Sequence, residues 1–186
     1  MRKIAARAGI TAGAIYKHFS GKEEMFGEIF EAYGRKLIDI TESMMGVDFS
    51  AMTDEELRKL LYKGASEQTF NMLEDDMKLF HMLLKNDSGK YMKRFCDIYI
   101  ERCAGFAANY YEELYRRKIA GRRFSKQTFY MLAVSEFSVV CEIIADDSCK
   151  DGITPEMRMA FMEVINVLRY GICAELDIDL YTEGDK

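Results

Sequence analysis

The residues best suited to chemistry lie at the start of the chain. Arg2, Lys3, Arg7, Lys17 and Lys22 are basic, and no acid occurs among residues 1–22. Thr11, Tyr16 and His18 add hydrogen-bonding groups among them. Lysine, arginine, tyrosine and histidine at this density suit contact with phosphate oxygens. The stretch carries +5, whereas the remaining residues hold 21 basic and 31 acidic side chains, or −10. A basic tip on an acidic body is the asymmetry of a protein whose one end meets nucleic acid. A short basic helix that merely faces water carries the same charge, so local structure must decide.

Other chemistries find no support. The five cysteines, Cys96, Cys103, Cys141, Cys149 and Cys173, form no C-x-x-C pair, and the only histidines are His18 and His81. Neither a zinc site nor a disulfide framework has that spacing, so reduced, mostly buried thiols are expected. Residues 147–158 resemble a calcium loop only in Gly152. Cys149 and Arg158 stand where oxygen ligands belong. There is no phosphate-cradling glycine loop, no serine-nucleophile elbow and no H-E-x-x-H or E-x-x-H pattern. An enzyme is not expected, and no metal or cofactor is implied.

The basic residues need elements to position them. With one proline, Pro155, and apolar residues at three-and-four spacing almost throughout, the chain reads as all-α. A short helix, Arg2–Ala8, stops at Gly9, where glycine supplies a left-handed exit. Thr11 caps a second short helix, Ala12–His18. Ser20 and Glu23 form a capping box that opens a third helix running to about Met45. Thr53 and Glu56 repeat the box and start a helical stretch to about Lys85, interrupted near Leu73. A turn at residues 86–89 leads to a long helix from Lys90 to about Lys118, ended by Gly121. Ser125 opens the next helix, to about Ala145. After a loop over residues 146–153, Thr154 and Pro155 cap and begin a last helix to about Leu176.

Two short helices joined by a glycine turn describe a helix-turn-helix. Ile4, Ala5 and Ala8 on the first face Ile15 and Phe19 of the second. That leaves Thr11, Ala12, Gly13, Ala14, Tyr16, Lys17 and His18 around the exposed sides and start of the second helix. Its small leading residues let it enter a major groove. Tyr16, Lys17, His18 and Lys22 suit phosphates.

The run Ile4–Phe26 closely resembles the DNA-binding signature of the tetracycline-repressor (TetR) family. Ile4, Ala5, Ala8, Gly9, Ile10, Thr11, Gly13, Ile15, Tyr16, His18, Phe19, Lys22 and Glu23 all fall in register with it. The resemblance implies an N-terminal DNA-binding domain, residues 1–40 with the start of a connecting helix, and a helical regulatory and dimerisation domain, residues 41–186. It places Thr11, Ala12, Gly13, Tyr16, Lys17, His18 and Lys22 at the DNA-contacting positions. Family members carry a further helix before the motif, so the sequence reads as N-terminally truncated. The implied function is a ligand-responsive repressor binding a palindromic operator as a homodimer. The competing reading is a helical ligand-binding or interaction module whose truncated motif no longer binds DNA.

The two last helices are apolar on more than one face, which predicts burial on all sides. A two-fold four-helix interface is the economical solution, and the resemblance implies the same pair. Val134, Phe137, Cys141, Ile144, Phe161, Ile165, Leu168 and Ile172 are the expected interface. Tyr91, Phe95, Tyr99, Cys103, Phe106 and Tyr110 recur at three-or-four spacing along the Lys90–Lys118 helix. Such a stripe is ordinarily core. The alternative is a wall of tyrosines facing a cavity for a small apolar or amphipathic effector, with Tyr62, Met72, Met77, His81 and Met82 on its other side. Charge interrupts every apolar run before 18 residues and no leader pattern is evident, so a cytoplasmic protein without a membrane span is expected.

Overall fold

The computed structural model describes residues 1–62, 71, 74, 76–87, 90–149 and 151–179; the side chains of residues 37, 40, 41, 44 and 62 are outside that description. Every regular element among the described residues is helical. The helices are α1 (Arg2–Arg7), α2 (Ala12–Tyr16), α3 (Lys22–Met45), α4 (Asp54–Tyr62), α5 (Met77–Asn86), α6 (Lys90–Arg116), α7 (Lys126–Ala145) and α8 (Pro155–Glu175). Short 3-10 turns occupy Phe49–Ala51 and Asp147–Cys149. The expected break near Leu73 and the contribution of Met72 fall outside the described residues.

Most helix starts follow from side-chain capping. Thr11, Ser125 and Thr154 each accept a hydrogen bond from the backbone N–H three residues on. Pro155 stands at the first turn of α8, where no donor is lost. Thr53 and Glu56 form the reciprocal box: Glu56 N–H donates to Thr53 Oγ1 at 3.2 Å, and Thr53 N–H to Glu56 Oε2 at 2.7 Å. At α3 the expected partner is wrong by one residue. The Ser20 backbone N–H and hydroxyl both donate to Glu24, not Glu23. Glu23 instead pairs with Lys90 at 3.1 Å, across to α6.

Gly9 ends α1 with φ of +67°, as expected. Gly121 does not end α6. The chain turns at Lys118, which takes a left-handed φ of +60°, and the Ile119 N–H closes onto the Leu114 carbonyl at 2.9 Å. Gly121 serves packing: a Cβ there would lie 2.9 Å from the Asp177 Cβ, and the Gly121 N–H donates to the Leu176 carbonyl at 2.9 Å.

The long α6 runs along two apolar cores. Its first half contributes Phe95, Tyr99 and Ile100 to a core with Phe30, Phe80, Phe137, Ile144 and Phe161. Its second half gives Tyr110 and Leu114 to a smaller core with Phe49, Leu57, Cys173 and Leu176. The connecting helix α3 packs on α6 through Phe30, against Tyr91 and Phe95, and on α5 through Tyr33, against Phe80, which ties the N-terminal helices to the body. By length and composition, α7 is apolar enough to cross a membrane, although Glu136 and Glu142 interrupt its apolar run as expected. One face of it, with Phe137, Val140, Ile143 and Ile144, is built into the main core.

Candidate nucleic-acid interface

The candidate unit is built from α1 and α2. Ala5 and Ile15 are buried between them, and the Ile10 N–H donates to the Ala5 carbonyl at 3.0 Å, closing the turn that Gly9 permits. Ile4 and Phe19 are half-buried beside this contact, and Ala8, expected within it, faces solvent. The positive φ at Gly9 swings the chain so that the side of α2 opposite Ile15 is left open.

That open side holds the candidate residues. Thr11, Gly13, Tyr16, Lys17, His18 and Lys22 are exposed and Ala12 is half-buried. Tyr16 is 56 % accessible, so its hydroxyl is open to an outside partner. Thr11 satisfies the Ala14 N–H and leaves other donors at the start of α2 pointing outward. No side chain crowds the front of the helix at Gly13, where a Cβ would meet only Thr11 Oγ1, at 3.9 Å. Lys22 opens α3 on the same basic stretch. The Ser20 bonds lower the Glu24 carboxyl below its ordinary value, and with Glu23 on Lys90 both nearby acids have partners. The result is an exposed helix start flanked by lysine, histidine and phenol donors.

The expected effector residues are not brought to one space. Tyr91 packs on Phe26 and Phe30, and Phe95 on Phe30, Phe80 and Tyr99. Tyr99 and Phe95 are buried in the main core, where Met77 also lies and Met82 packs at its edge. Cys103 is half-buried at the same core and bonded to Tyr99. Phe106 and Tyr110 meet Phe49 in the second core. The Tyr110 hydroxyl donates to the Leu57 carbonyl at 2.7 Å, and burial raises its phenol well above the ordinary range. His81 Nδ1 lies 2.6 Å from the Ile144 carbonyl. The Tyr62 side chain is outside the described residues. Tyr91 and Phe95 do border a cleft of about 290 Å³ between α3 and α6.

The expected interface residues divide. Phe137, Ile144, Phe161 and Ile165 are buried in the subunit's own cores, and Val134, Cys141, Leu168 and Ile172 are half-buried against them. The apolar side chains left in solvent on these helices are others: Met131 on α7, and Met159, Val164, Val167 and Tyr170 on α8. Apolar composition all round does not tell which face of either helix looks outward. All five cysteines are free, and burial pushes Cys96 and Cys103 up to about 11 and Cys141 to about 12, which keeps these thiols protonated and inert. Arg158, at the would-be calcium position, bonds Glu74 and Asn71.

A charged hub went unforeseen. Arg117 donates to Glu113 at 2.6 Å, to Asp54 at 2.9 Å and to the Phe49 and Ser50 carbonyls. It joins the end of α6 to the start of α4, and partners 63 to 68 residues apart leave no local signal.

No curated protein and no solved structure matches the chain. Residues 1–29 match the family model of bacterial regulatory proteins, tetR family. That stretch contains α1, the glycine turn, α2 and the start of α3, the same elements that present the exposed donors. The first 29 residues thus carry the DNA-binding signature of the tetR family of bacterial regulatory proteins.

Proposed function

We propose that the protein is a ligand-responsive transcriptional repressor, not an enzyme, acting in the cytoplasm as a homodimer on a palindromic operator. Residues 1–40 form the DNA-binding domain and residues 41–186 the regulatory and dimerisation domain. Thr11, Ala12 and Gly13 face base edges at the start of α2, and Tyr16, Lys17, His18 and Lys22 hold phosphates. The observation that carries this reading is the solvent-facing, threonine-capped α2 within the stretch that matches the family. A capped helix start backed by a buried Ala5–Ile15 contact is a rigid unit for entering a major groove.

The exposed apolar row on α8 supports the dimer. Met159, Val164, Val167 and Tyr170 recur at three-to-five spacing on one helix, and water is a poor solvent for such a row. A two-fold axis through α7 and α8 would cover it and set two reading helices for successive major-groove turns. Fluorescence anisotropy with duplexes from the regulatory region beside its own gene tests the reading. Saturable binding with a preferred sequence, weakening steeply with salt, is expected. Absence of duplex binding at low salt would leave the competing module without DNA function.

A further inference from the structure

The cleft between α3 and α6 combines an apolar interior with a charged mouth. Phe30, Gly34 and Ile38 of α3 face Tyr91, Phe95 and Ile98 of α6 across it. Its volume of about 290 Å³ is at the lower end of small-molecule sites, enough for one ring or a short chain. Gly34 lines the cleft, and a Cβ there would make ordinary van der Waals contact, 3.5 Å from Phe95 Cδ2.

The mouth carries Arg35, Arg94 and Glu31. Arg94 Nη1 lies 3.5 Å from Glu31 Oε1, with the arginine side chain 75 % exposed, so the pair is weak and readily exchanged. Two guanidiniums against one carboxylate leave a net positive rim over an apolar floor. A cationic ligand would meet repulsion there, and a neutral one would gain only the walls. A carboxylate accepts paired N–H bonds from guanidinium in a geometry lysine cannot offer.

We propose that this cleft is a binding site for a small amphipathic carboxylate. The tail lies against Phe30, Tyr91 and Phe95 and the carboxylate is held by Arg35 and Arg94. The site takes its biological use from the ligand-responsive reading above, but its occupancy needs no DNA.

Isothermal calorimetry on the full chain without DNA tests it. The probes are 4-phenylbutyrate, its neutral amide and a series of hexanoate to decanoate. The acids bind, and 4-phenylbutyrate binds about tenfold or more tightly than the amide, the gain expected of charge-assisted bonds. The double variant Arg35→Gln/Arg94→Gln brings acid and amide to equal affinity. Ile98→Trp, which fills the cleft, removes binding of both while circular dichroism shows an unchanged helical fold. The proposal is overturned by any of three results: equal affinity for acid and amide in the unaltered protein, full acid affinity in the double arginine variant, or no binding by any acid at millimolar concentration. Because no operator is present, a failure of DNA binding would leave these outcomes readable.

Discussion

A methyl group at Gly27 would stand 2.5 Å from the hydroxyl oxygen of Tyr91 and 2.9 Å from its ring carbon Cζ. The Tyr91 ring crosses α3 at this glycine, with ring centroids 6.0 Å from Phe26 and 5.7 Å from Phe30. One turn earlier Glu23 meets Lys90. The N-terminal end of α3, which follows α1 and α2, is thus seated on the start of α6.

Gly27→Ala is expected to destabilise the protein even though alanine favours a helix. The propensity gain is about 1 kcal/mol. The clash involves Cζ and also Cε1 at 3.1 Å, so the whole ring must move, at a cost of about 1–3 kcal/mol. A melting temperature lower by a few degrees follows. Adding Tyr91→Leu should restore it. An unchanged melting temperature in the single variant would show that the ring relocates freely.

For DNA, Lys17→Ala and Lys22→Ala should each weaken binding to all duplexes and flatten the salt dependence by about 0.9 in logarithmic slope. Lys126→Ala, at the exposed start of α7, is the control with no effect. Thr11→Ala acts differently: it removes the cap, worth about 1 kcal/mol of helix stability, and alters sequence preference. Anisotropy titrations over a salt series check all four. Unchanged slopes in the two lysine variants would remove these side chains from the phosphate contacts.

Local chemistry made the N-terminal unit legible. Thr11, Ser125 and Thr154 act through bonds three residues on, Gly9 through its positive φ and Pro155 through its missing donor, and such local signals survive in any tertiary context. Ser20 shows the limit. Glu23 and Glu24 are both within reach of the cap, and the choice falls to a cross-helix partner, Lys90, 67 residues away. The two apolar helices show it more strongly. Phe161 and Val167 are both apolar in sequence, yet one is among the deepest side chains of α8 and the other among its most exposed. Hydropathy fixes that a helix is buried, while the rotation about its axis is set by neighbours such as Phe137 and Ile144.

Glu113 makes the acid limb of stability predictable. The Arg116 hydrogen bonds, joined by that of Arg117, hold its carboxyl down from 4.5 to about 2. A lowered folded-state value means the contribution is complete above the unfolded value and disappears as pH falls toward 2. Glu113→Gln should therefore cost about 2 kcal/mol near neutral pH, the range for losing hydrogen bonds to a charged group. The difference between the two proteins should narrow below pH 4.5. Urea melts at several pH values check this, and a gap that stays constant down to pH 3 (about one unit above the folded-state value) would separate the hub from the acid limb.

Two glutamate substitutions on α8 separate assembly from folding. Val167 is 71 % accessible in the single chain and Phe161 only 1 %. Phe161→Glu buries an unpaired charge in the main core and should abolish folding. Val167→Glu puts the same charge into water in the monomer, so the subunit keeps its helices and its α6 core. In the proposed dimer that position is covered, and two glutamates would meet close to the symmetry axis. Sedimentation of Val167→Glu should show a folded monomer where the unaltered protein is a dimer at micromolar concentration. Because one subunit presents one reading helix, operator affinity should fall with it, while non-specific binding keeps its salt slope per subunit. A Val167→Glu protein that still sediments as a dimer would place the two-fold interface elsewhere than on this row of α8.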